Sequence, residues 1–283
     1  MAMSPDDIRD AQRASWDRFS PGWGKWDHMV ISMLGPVGEV MIEQIGVRDG
    51  IRHLDVAAGT GEPGLTIAGL APKGKITITD LAPGMLDVAK KSAASRGITN
   101  VEFHEADAGN LPFDDATFDS LTCRFGFMFF PDTAQAAKEF ARVLKPGGRV
   151  AASVWVEPAD NPWIAIPMGA VAAEVDVPAP PPDAPGMFRC NAPGYLAKLF
   201  EAAGLGDITE HEVHGTQRSE SPEQSWQMIT EVAAPIAGAI ERADTAAQAR
   251  IKAAVIEKLQ AFAGPDGVSV PHHSRVTGAT RAG

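Results

Sequence analysis

The sequence predicts an α/β fold in which helices cover both faces of a mostly parallel sheet. Between residues 51 and 156, short apolar or β-branched runs alternate with segments in which apolar residues recur at helical spacing. The links between these segments are short, and strand–helix–strand units of this kind place their strands side by side and parallel. We therefore expect one doubly wound domain here, with its ligand at the carboxyl ends of the strands.

Five segments have the character of strands. Lys75–Asp80 is the clearest of them, because β-branched residues dominate it and it is too short for a typical helix. The others are short runs bounded by polar residues or glycines. The predicted strands are Ile51–Ala57, Lys75–Asp80, Val101–Glu105, Phe118–Phe125 and Arg149–Val156.

Helical patterns fill the intervals between these strands. Pro83–Arg96 carries apolar residues at helical spacing and is stopped by the glycine that follows it. Asp132 or Thr133 is the expected N-cap of another helix, which Pro146 and the two glycines after it bring to an end. A shorter helical stretch follows the glycines after the first strand and reaches about Leu70.

The pattern is looser beyond residue 156, where we expect a helical cover and the last strands of the sheet. A polar loop, Glu157–Trp163, comes first, and the proline run Pro178–Pro185 is predicted to be an extended linker because proline breaks helices. Pro193–Ala203 is a predicted helix. The alanine-rich segment Ser221–Phe262 is predicted to form two helices broken near Ala243–Thr245. The remaining strand candidates are Ile208–Gly215 and Ser274–Thr280.

Composition limits the kinds of partner. The 283 residues carry a formal net charge of −11, and they lack a basic stripe of the kind that nucleic-acid phosphates require, although a local patch would escape this test. The two cysteines, Cys123 and Cys190, lack the spacing of a metal site, and no apolar stretch approaches the ~20 residues of a membrane span. With a polar, acidic start, the expected setting is cytoplasmic and the expected partner is a small molecule, not nucleic acid. The sequence carries no signal for oligomeric state.

A glycine-rich turn follows the first predicted strand. Gly59, Gly61 and Gly64 satisfy the G-x-G-x-x-G pattern between a strand and a helix, which is the fingerprint of a dinucleotide-binding turn. Asp80, at the end of the second strand, stands where an acid that binds a ribose is expected. NAD and S-adenosylmethionine (SAM) both carry an adenosine ribose, so these residues alone do not separate the two cofactors. A simple strand-to-helix turn that needs glycine for positive φ is a third interpretation.

Three further features favour SAM. Asp55 lies four residues before Gly59, where its carboxylate suits a cationic sulfonium ligand and would repel a pyrophosphate. Asp107 and Ala108, after the third strand, are suited to hold the edge of an adenine, because a carboxylate accepts hydrogen bonds from an amino group. The segment 142–149 (RVLKPGGR) supplies a tight turn into the fifth strand.

Taken in order, these motifs resemble those of class I SAM-dependent methyltransferases, closest to the branch of the ubiquinone/menaquinone-biosynthesis C-methyltransferases. The resemblance covers about Ile51 to Val156. It implies a Rossmann-like, seven-stranded sheet whose last strand is antiparallel, and SAM as the cofactor. Ala57 departs from the pattern, since that family often has a glycine there. We expect residues 1–45 to form an N-terminal helical lid and residues 46–283 the methyltransferase domain, with a helical insert at about 221–263.

Carried over by position, the resemblance assigns a cofactor site. Asp55 and the backbone of the glycine turn would hold the methionine part, Asp80 the ribose hydroxyls, and Asp107 with the residue after it the adenine edge. Leu81 and Met85 would pack on the adenine, although ordinary core packing explains them equally well. The predicted cofactor-binding residues are Asp55, Ala57, Gly59, Thr60, Gly61, Asp80, Leu81, Met85, Asp107, Ala108, Arg124 and Phe125.

An acceptor pocket is expected beside this site. Methyl transfer is an in-line displacement from an already activated sulfonium, so it depends on alignment and desolvation more than on a metal or a nucleophile. The aromatic N-terminal stretch forms either a lid with an acceptor wall or ordinary packing, and His28 in it is the predicted general base if the acceptor must lose a proton. We predict no metal site and a small organic acceptor, phenolic or quinone-like. The residues expected at its pocket are Trp16, Phe19, Trp23, Trp26, Asn161, Trp163 and Trp226.

Two other functions stay open on the sequence alone. An NAD-dependent oxidoreductase on the same scaffold would use a closely spaced tyrosine and lysine, and Tyr195 with Lys198 has such a spacing. That pair falls too late in the chain for short-chain reductases, and no catalytic serine precedes it. A SAM-binding module without catalytic activity would keep the cofactor motifs and lack an acceptor pocket.

Overall fold

The structure, a computed structural model, describes residues 4–176, 181 and 184–283. Most of the predicted linker Pro178–Pro185 lies outside these residues. Within them, eight strands form one sheet. They are β1 (Arg52–Val56), β2 (Lys75–Asp80), β3 (Val101–Glu105), β4 (Phe118–Arg124), β5 (Leu144–Trp155), β6 (Leu205–Ser219), β7 (Ala263–Gly264) and β8 (Gly267–Arg281).

The strand order in the sheet is β3-β2-β1-β4-β5-β8-β6, and the two-residue β7 pairs with β8. Strands β1 to β5 pair in parallel, whereas β8 runs antiparallel to both β5 and β6. The predicted α/β class is confirmed, with its mostly parallel sheet and its antiparallel last strand. The strand order reverses between β1 and β4, and a crevice for a ligand is expected outside the strand ends at such a point.

The last strands are longer than the sequence indicated. β6 and β8 pair from Leu205, opposite Arg281, to Ser219, opposite Val268. β5 begins at Leu144, which pairs with Phe118 of β4, so the RVLKPGGR segment lies partly within the strand. The alternation of polar residues on these strands hid their length, because one side of the edge strand faces solvent.

Helices cover the sheet on both faces, and the described residues include ten of them. The first two come before the sheet, and the others connect its strands. They are α1 (Pro5–Lys25), α2 (Asp27–Ile45), α3 (Gly64–Leu70), α4 (Pro83–Ser95), α5 (Thr133–Val143), α6 (Pro162–Glu174), α7 (Tyr195–Ala202), α8 (Pro222–Val232), α9 (Ala234–Glu241) and α10 (Thr245–Leu259). In this part of the chain, no helix combines the length and the apolar character needed to cross a membrane.

The N-terminal helix α1 contains a proline followed by a glycine, a pair that commonly interrupts a helix. The helix nevertheless continues through Pro21 and Gly22. Gly22 instead allows α1 to close on α8, because a Cβ at this position would lie 2.0 Å from the backbone oxygen of Glu231. The glycine therefore serves the contact between two helices and not a turn.

The helical insert contains three helices and not two. The predicted break is present between α9 and α10, where the Asp244 carboxylate caps α10 by accepting the N–H of Ala247. A second break falls at Ala233, just before Pro235, whose ring nitrogen cannot donate to a continuous helix. The helix α6 was not predicted, since it is apolar on all sides and lacks the periodicity that marks a surface helix.

Two buried clusters form the core. One contains Phe127, Phe140 and Phe200 and connects α5 and α7 to the sheet. The other contains Met41 and Leu65 and connects α2 and α3 to it. Because both clusters are packed against the central strands, the ends of those strands are held in fixed positions.

Candidate functional site

A cavity lies over the carboxyl ends of the parallel strands, at the reversal of strand order, and α1, α2, α8 and α9 cover it. Its wall has two parts of different chemistry. The polar half follows the ends of β1, β2, β3 and β4 and consists of Arg9, Gln12, Gly59, Thr60, Asp80, Asp107 and Arg124. The aromatic half consists of Trp16, Trp23, Phe129, Phe130, Trp155 and Trp163, with Met33, Met187, Met228 and Val232 between them.

The three glycines of the turn have different roles. Gly59 lines the cavity at a φ of 57°, and a Cβ on it would meet nothing within 4 Å, so space for a ligand lies directly above it. A Cβ on Gly61 would lie 2.8 Å from a methyl of Leu65, and one on Gly64 would lie 2.8 Å from the Asp55 carboxylate. The last two glycines therefore serve close packing, and only the first faces the cavity.

Asp80 is buried at the end of β2 and lines the cavity. Its carboxylate accepts the N–H of Gly59 at 2.8 Å and the N–H of Ala82 at 2.9 Å, which fixes its orientation beside the turn. Burial raises the pKa of Asp80 to about 6, while these two hydrogen bonds act in the opposite direction. Each oxygen keeps a lone pair for a further donor, as the hydroxyls of a ribose would require.

Asp55, one of the predicted cofactor-binding residues, lies at the end of β1 as expected. Its side chain is completely buried behind the turn and does not line the cavity. One carboxylate oxygen accepts the N–H of Gly64 at 2.8 Å, and the other accepts the hydroxyl of Thr122 at 2.8 Å. Burial raises the pKa of Asp55 to about 7. Asp55 therefore holds the turn in place, and direct contact with the methionine part of SAM, as predicted, is not supported.

The hydrogen bond from Gly64 also bears on the choice of cofactor. The N–H groups at the start of a helix form the usual binding site of a pyrophosphate. Here the first N–H of α3 is already bonded to the Asp55 carboxylate, so negative charge occupies that position. This arrangement disfavours a dinucleotide and suits a cofactor without phosphates.

A buried chain of side chains supports Asp55 and had no signal in the sequence. His53 contacts the hydroxyls of Ser120 at 2.8 Å and Thr122 at 2.9 Å, and burial lowers its pKa to about 3, so the ring is neutral. When Asp55 is ionised, Thr122 donates to it and must therefore accept from His53 Nε2–H. His53 Nδ1 then accepts from Ser120, which fixes the direction of every bond in the chain.

Helix α1 is attached over the ends of β2 and β3. Arg9 Nε lies 2.7 Å from an oxygen of Asp107, whose other oxygen accepts the N–H of Gly109 at 3.0 Å. Arg13 pairs with Glu105 and donates from Nε to the backbone oxygen of Leu81 at 3.2 Å. Asp107, the acid predicted to bind the adenine edge, is therefore in contact with helix α1 of the predicted lid.

Two non-glycine residues at the cavity have left-handed backbone conformations. Ala57, after β1, has a φ of 53°, and Phe125, after β4, has a φ of 59°. Each such residue costs about 1–3 kcal/mol, and such strain is concentrated at functional sites. The methyl group of Ala57 lies close to Gly126, where a Cβ would approach it to 2.9 Å. The alanine that departs from the family pattern is thus accommodated by a glycine on the neighbouring strand end.

Aromatic contacts join the cover to the sheet in the aromatic half. Trp16 of α1 packs edge-to-face on Phe129, just after β4, with ring centroids 5.1 Å apart. Trp23 donates from its indole nitrogen to the backbone oxygen of Val232 at 3.1 Å. On the sheet side, Phe125 stacks on Trp155 at a centroid distance of 4.1 Å. A flat apolar molecule would find ring faces and edges on both walls.

The cavity gathers most of the predicted cofactor residues and fewer of the predicted pocket residues. Asp55 and Gly61 are the two cofactor candidates that do not line it, and His28 is exposed on α2 away from it, so His28 is not placed to act as a base. The cofactor candidates on the wall are Ala57, Gly59, Thr60, Asp80, Leu81, Met85, Asp107, Ala108, Arg124 and Phe125.

Of the predicted pocket residues, Trp16, Trp23 and Trp163 line the cavity, and the others have different contacts. The indole nitrogen of Trp26 donates to Glu231 at 2.8 Å, on the outer side of the contact with α8. Asn161 bonds the backbone of His273 in both directions at 3.0 Å and so attaches the start of α6 to the middle of β8. Phe19 lies beside Arg18 at the surface, and Trp226 is also outside the wall.

Several wall residues were missed by the sequence analysis. Met33 and Leu34 of α2 had a detectable signal, because apolar residues recur along that segment at helical spacing. The phenylalanines after β4 form a conspicuous FMFF run at a strand end. By contrast, Arg9, Gln12, Met187 and Val232 had no local signal that points to a cavity.

Comparison with known families agrees with this geometry. Residues 37–160 match the model of the ubiE/COQ5 methyltransferase family, a stretch that begins in α2 and ends after β5. The predicted resemblance is confirmed for this region, which is similar to class I SAM-dependent methyltransferases of that branch. The cofactor of this class is SAM.

Curated relatives match over part of their length. The chain is 36% identical over 143 residues to an uncharacterised protein of Mycobacterium tuberculosis, which covers 50% of this chain and 49% of that protein. It is 42% identical over 110 residues to a demethylmenaquinone methyltransferase of Deinococcus radiodurans, which covers 39% of this chain and 45% of the other. The chain thus spans about half the length of the curated relatives it matches.

Solved structures share the fold. The YcgJ protein of Bacillus subtilis matches with a TM-score of 0.57 at 20% identity, over 87% of this chain and 98% of that one. Phosphoethanolamine N-methyltransferase 2 of Haemonchus contortus, solved with S-adenosylhomocysteine, matches with a TM-score of 0.60 at 17% identity, over 100% of this chain and 61% of the other. At these identities the likeness concerns the fold, and it agrees with the Rossmann-like class.

Proposed function

We propose that this chain transfers the methyl group of SAM to a small organic acceptor bound in the aromatic half of the cavity. One observation carries the proposal: a single cavity joins the strand ends that bear the methyltransferase motifs to an aromatic wall. A cofactor in the polar half would direct its reactive end toward that wall. The sulfonium supplies an activated methyl group, so the protein has to align the acceptor and exclude water.

The residues of the polar half fit SAM. Gly59 leaves open space above the turn, and Asp80 retains lone pairs for two ribose hydroxyls. Asp107 can accept from an adenine amino group with its remaining lone pairs, beside the apolar surfaces of Leu81 and Met85. The assignments of these residues to parts of the cofactor are part of the proposal.

The NAD alternative is weakened by two contacts. The start of α3 is occupied by the Asp55 carboxylate, where a pyrophosphate would bind. Tyr195 does not line the cavity, and its hydroxyl lies 3.3 Å from that of Thr133, in a contact between α5 and α7. The tyrosine and lysine with reductase-like spacing thus have a structural explanation.

No titratable side chain belongs to the aromatic half among the described residues that line it. An acceptor there would find no protein group to remove a proton during transfer. The reactive atom must therefore be unprotonated or already ionised on binding, and the rate should follow the acceptor's own ionisation. A phenolic or quinone-like ring suits the aromatic walls, and the demethylmenaquinone methyltransferases among the relatives support this class.

The cover of the aromatic half lies mostly outside the family match. That match spans residues 37–160, whereas α1, α8 and α9 lie outside this range. The acceptor is therefore proposed from the aromatic wall itself. A cytoplasmic location likewise stays a prediction.

Calorimetric titration of the purified chain with S-adenosylhomocysteine and, separately, with NADH tests the cofactor. We expect binding of the first and none of the second, and the reverse result would sink the proposal. A mass-shift screen of phenols, quinones, amines and thiols with SAM then tests the transfer. Trp163→Ala should lower product formation and leave the affinity for S-adenosylhomocysteine within about twofold, since Trp163 belongs to the aromatic half.

Binding of S-adenosylhomocysteine without methylation of any compound in the screen would favour the second candidate, a SAM-binding module without catalytic activity. The aromatic half speaks against that candidate, because a module that only binds the cofactor has no need of a second compartment.

A further inference from the structure

One side of α1 is attached to the ends of β2 and β3 by a row of polar residues. Arg9, Arg13, Asp17 and Ser20 follow one another at intervals of four, four and three residues, which places them on one face of a helix. We refer to these four residues as the α1 stripe. Each of them contacts the last residue of β3 or the chain just after β2 or β3.

The first two residues of the stripe lie on the proposed adenine site. Arg9 lines the cavity, and its Nε is 2.7 Å from an oxygen of Asp107. Arg13 pairs with Glu105, the last residue of β3, and its Nε donates to the backbone oxygen of Leu81 at 3.2 Å. Because Asp107 and Leu81 are the residues proposed to contact the adenine, α1 covers the position of that ring.

The other two residues of the stripe hold α1 on the start of α4. Asp17 Oδ1 accepts the N–H of Gly84, the second residue of α4, at 2.8 Å. A Cβ on Gly84 would lie 2.6 Å from the hydroxyl of Ser20, so the two helices touch at this point. Together the four contacts leave no passage for an adenosine between α1 and the ends of β2 and β3.

Of the four helices over the cavity, α1 has the smallest share of buried residues. One of its 21 residues is buried, compared with seven of 19 in α2, five of 11 in α8 and three of eight in α9. Detaching a helix exposes the apolar surface that it buries. We therefore expect α1 to separate from the domain more readily than the other three helices.

The two ends of α1 are held in different ways. Near its C-terminal end, Trp23 donates to the backbone of Val232, and Gly22 allows close contact with α8. Toward its N-terminal end the contacts are polar and partly exposed, since the side chains of Arg13 and Glu105 are 42% and 43% exposed. Ion pairs of this kind are weak and are screened by salt. The first half of α1 can therefore leave the strand ends while its last turns stay on α8.

We propose that the N-terminal half of α1, residues 5–17, is the gate for cofactor exchange and that Arg13 holds it closed. This half of the helix leaves the ends of β2 and β3, the cofactor enters or S-adenosylhomocysteine leaves, and the α1 stripe then closes again. The inference rests on the proposed function and adds to it a route and a contact that controls the rate. The family match implies neither, because α1 lies before residue 37.

A gate differs from a binding contact in its effect on the rates. Arg13 does not line the cavity, so its contacts are the same with and without the cofactor. Weakening them raises the population of the open state in both cases, and association and dissociation accelerate by the same factor. A residue that binds the cofactor instead changes mainly the dissociation rate, and with it the Kd.

Arg13→Gln tests the gate with S-adenosylhomocysteine as the ligand. Both rate constants should rise about three- to tenfold, because the variant loses an ion pair and a charge-assisted hydrogen bond, and the Kd should stay within about twofold. Stopped-flow tryptophan fluorescence measures the rates, since Trp16 and Trp23 line the cavity, and calorimetry measures the Kd. Glu105→Gln should accelerate both steps by a smaller factor, because Arg13 keeps its bond to Leu81.

Arg242→Gln is the matched control, since Arg242 is exposed at the end of α9 and the change of charge is identical. It should leave both rates unchanged. In the wild type, raising the salt concentration from about 0.1 M to about 1 M should accelerate both steps, and the effect should be smaller in Arg13→Gln. Circular dichroism with a urea unfolding curve shows whether each variant is folded.

Each other outcome overturns the proposal. Unchanged rates in folded Arg13→Gln and Glu105→Gln would mean that the cofactor exchanges by another route. A raised Kd with an unchanged association rate would make Arg13 a binding contact and not part of a gate. Equal acceleration by Arg242→Gln would reduce the effect to one of overall charge. Failure of the wild-type chain to bind S-adenosylhomocysteine at all is a different result, because it would reject the proposed function itself.

Discussion

The two halves of the cavity are built in different ways. Most of the polar half follows the ends of four neighbouring parallel strands, so the sheet itself brings these residues together, and α1 adds only Arg9 and Gln12. The aromatic half is assembled from helices that come before and after the central strands, packed over the aromatic residues at the ends of β4 and β5. The first half inherits its geometry from backbone pairing, whereas the second depends on how helices pack on one another.

This difference predicts how each half responds to change. A substitution at a strand end alters a few fixed hydrogen bonds and should affect the cofactor without loosening the cover. A substitution between the covering helices should loosen the aromatic half and leave the strand ends in place. The family match over residues 37–160 includes the strand ends of the polar half, whereas α1, α8 and α9 of the cover lie outside it.

The largest effect is expected for Asp80→Asn in the polar half. An asparagine offers one acceptor oxygen where the aspartate serves both Gly59 and Ala82, so one buried N–H loses its partner and faces an amide NH₂. The cost of such a group is about 1–3 kcal/mol, and we expect the Kd for S-adenosylhomocysteine to rise about 10- to 100-fold. Calorimetric titration measures the change.

Asp87→Asn is the control for this variant, because Asp87 is an acid of the following helix α4 whose carboxylate pairs with Lys90 at the surface. It should leave the Kd unchanged. Hydrogen exchange of α1 and α8 should be the same in Asp80→Asn as in the wild type, and faster exchange there would contradict the independence of the two halves.

An intermediate effect is expected for Gly22→Ala in the cover. The added Cβ would lie 2.0 Å from the backbone oxygen of Glu231, so α1 and α8 must separate. Overpacking of this kind costs about 1–3 kcal/mol, and the gain in helix propensity offsets up to about 1 kcal/mol of it. We expect faster hydrogen exchange in α1 and α8, with a smaller change in S-adenosylhomocysteine affinity than Asp80→Asn causes.

Gly24→Ala gives the comparison within the same helix. Its Cβ would lie 3.3 Å from a methyl of Val88, a side chain that can move, so the gain in helix propensity should prevail. Equal destabilisation by the two substitutions would show that the contact between α1 and α8 is not the close one described above.

The different construction of the two halves explains which of their residues could be predicted from the sequence. Motifs at the ends of parallel strands lie together because such strands end at one edge of the sheet. The strands themselves were predictable, and β2 and β3 have the predicted bounds. The position of each aromatic residue of the cover depends on the rotation of its helix: Trp16 and Trp23 line the cavity, whereas Phe19 is half-buried outside its wall. The course of α1 through Pro21 does not follow from local patterns, because it is decided by contacts with distant helices.

The smallest expected effect concerns Asp55, which supports the polar half from behind. Its folded pKa of about 7 is above the ordinary value of ~3.9, so the neutral acid is favoured in the folded state. The unfolded chain releases this proton near pH 4 and the folded chain only near pH 7, so this group makes the protein less stable as pH rises between those values. Asp55→Asn removes the titration and should be more stable than the wild type at high pH.

The Asp55→Asn variant can keep a hydrogen-bond partner for every buried side chain of this network, so its stability reports on the titration alone. An asparagine oxygen can accept from Gly64, and its NH₂ can donate to Thr122, which then donates to His53 Nε2 while His53 Nδ1–H donates to Ser120. The stability of Asp55→Asn relative to the wild type should therefore increase by on the order of 1 kcal/mol between pH 6 and pH 8, as measured by urea unfolding. A difference that stays constant with pH would mean that Asp55 ionises at its ordinary pKa, and the hydrogen bonds from Gly64 and Thr122 would then outweigh the loss of water around it.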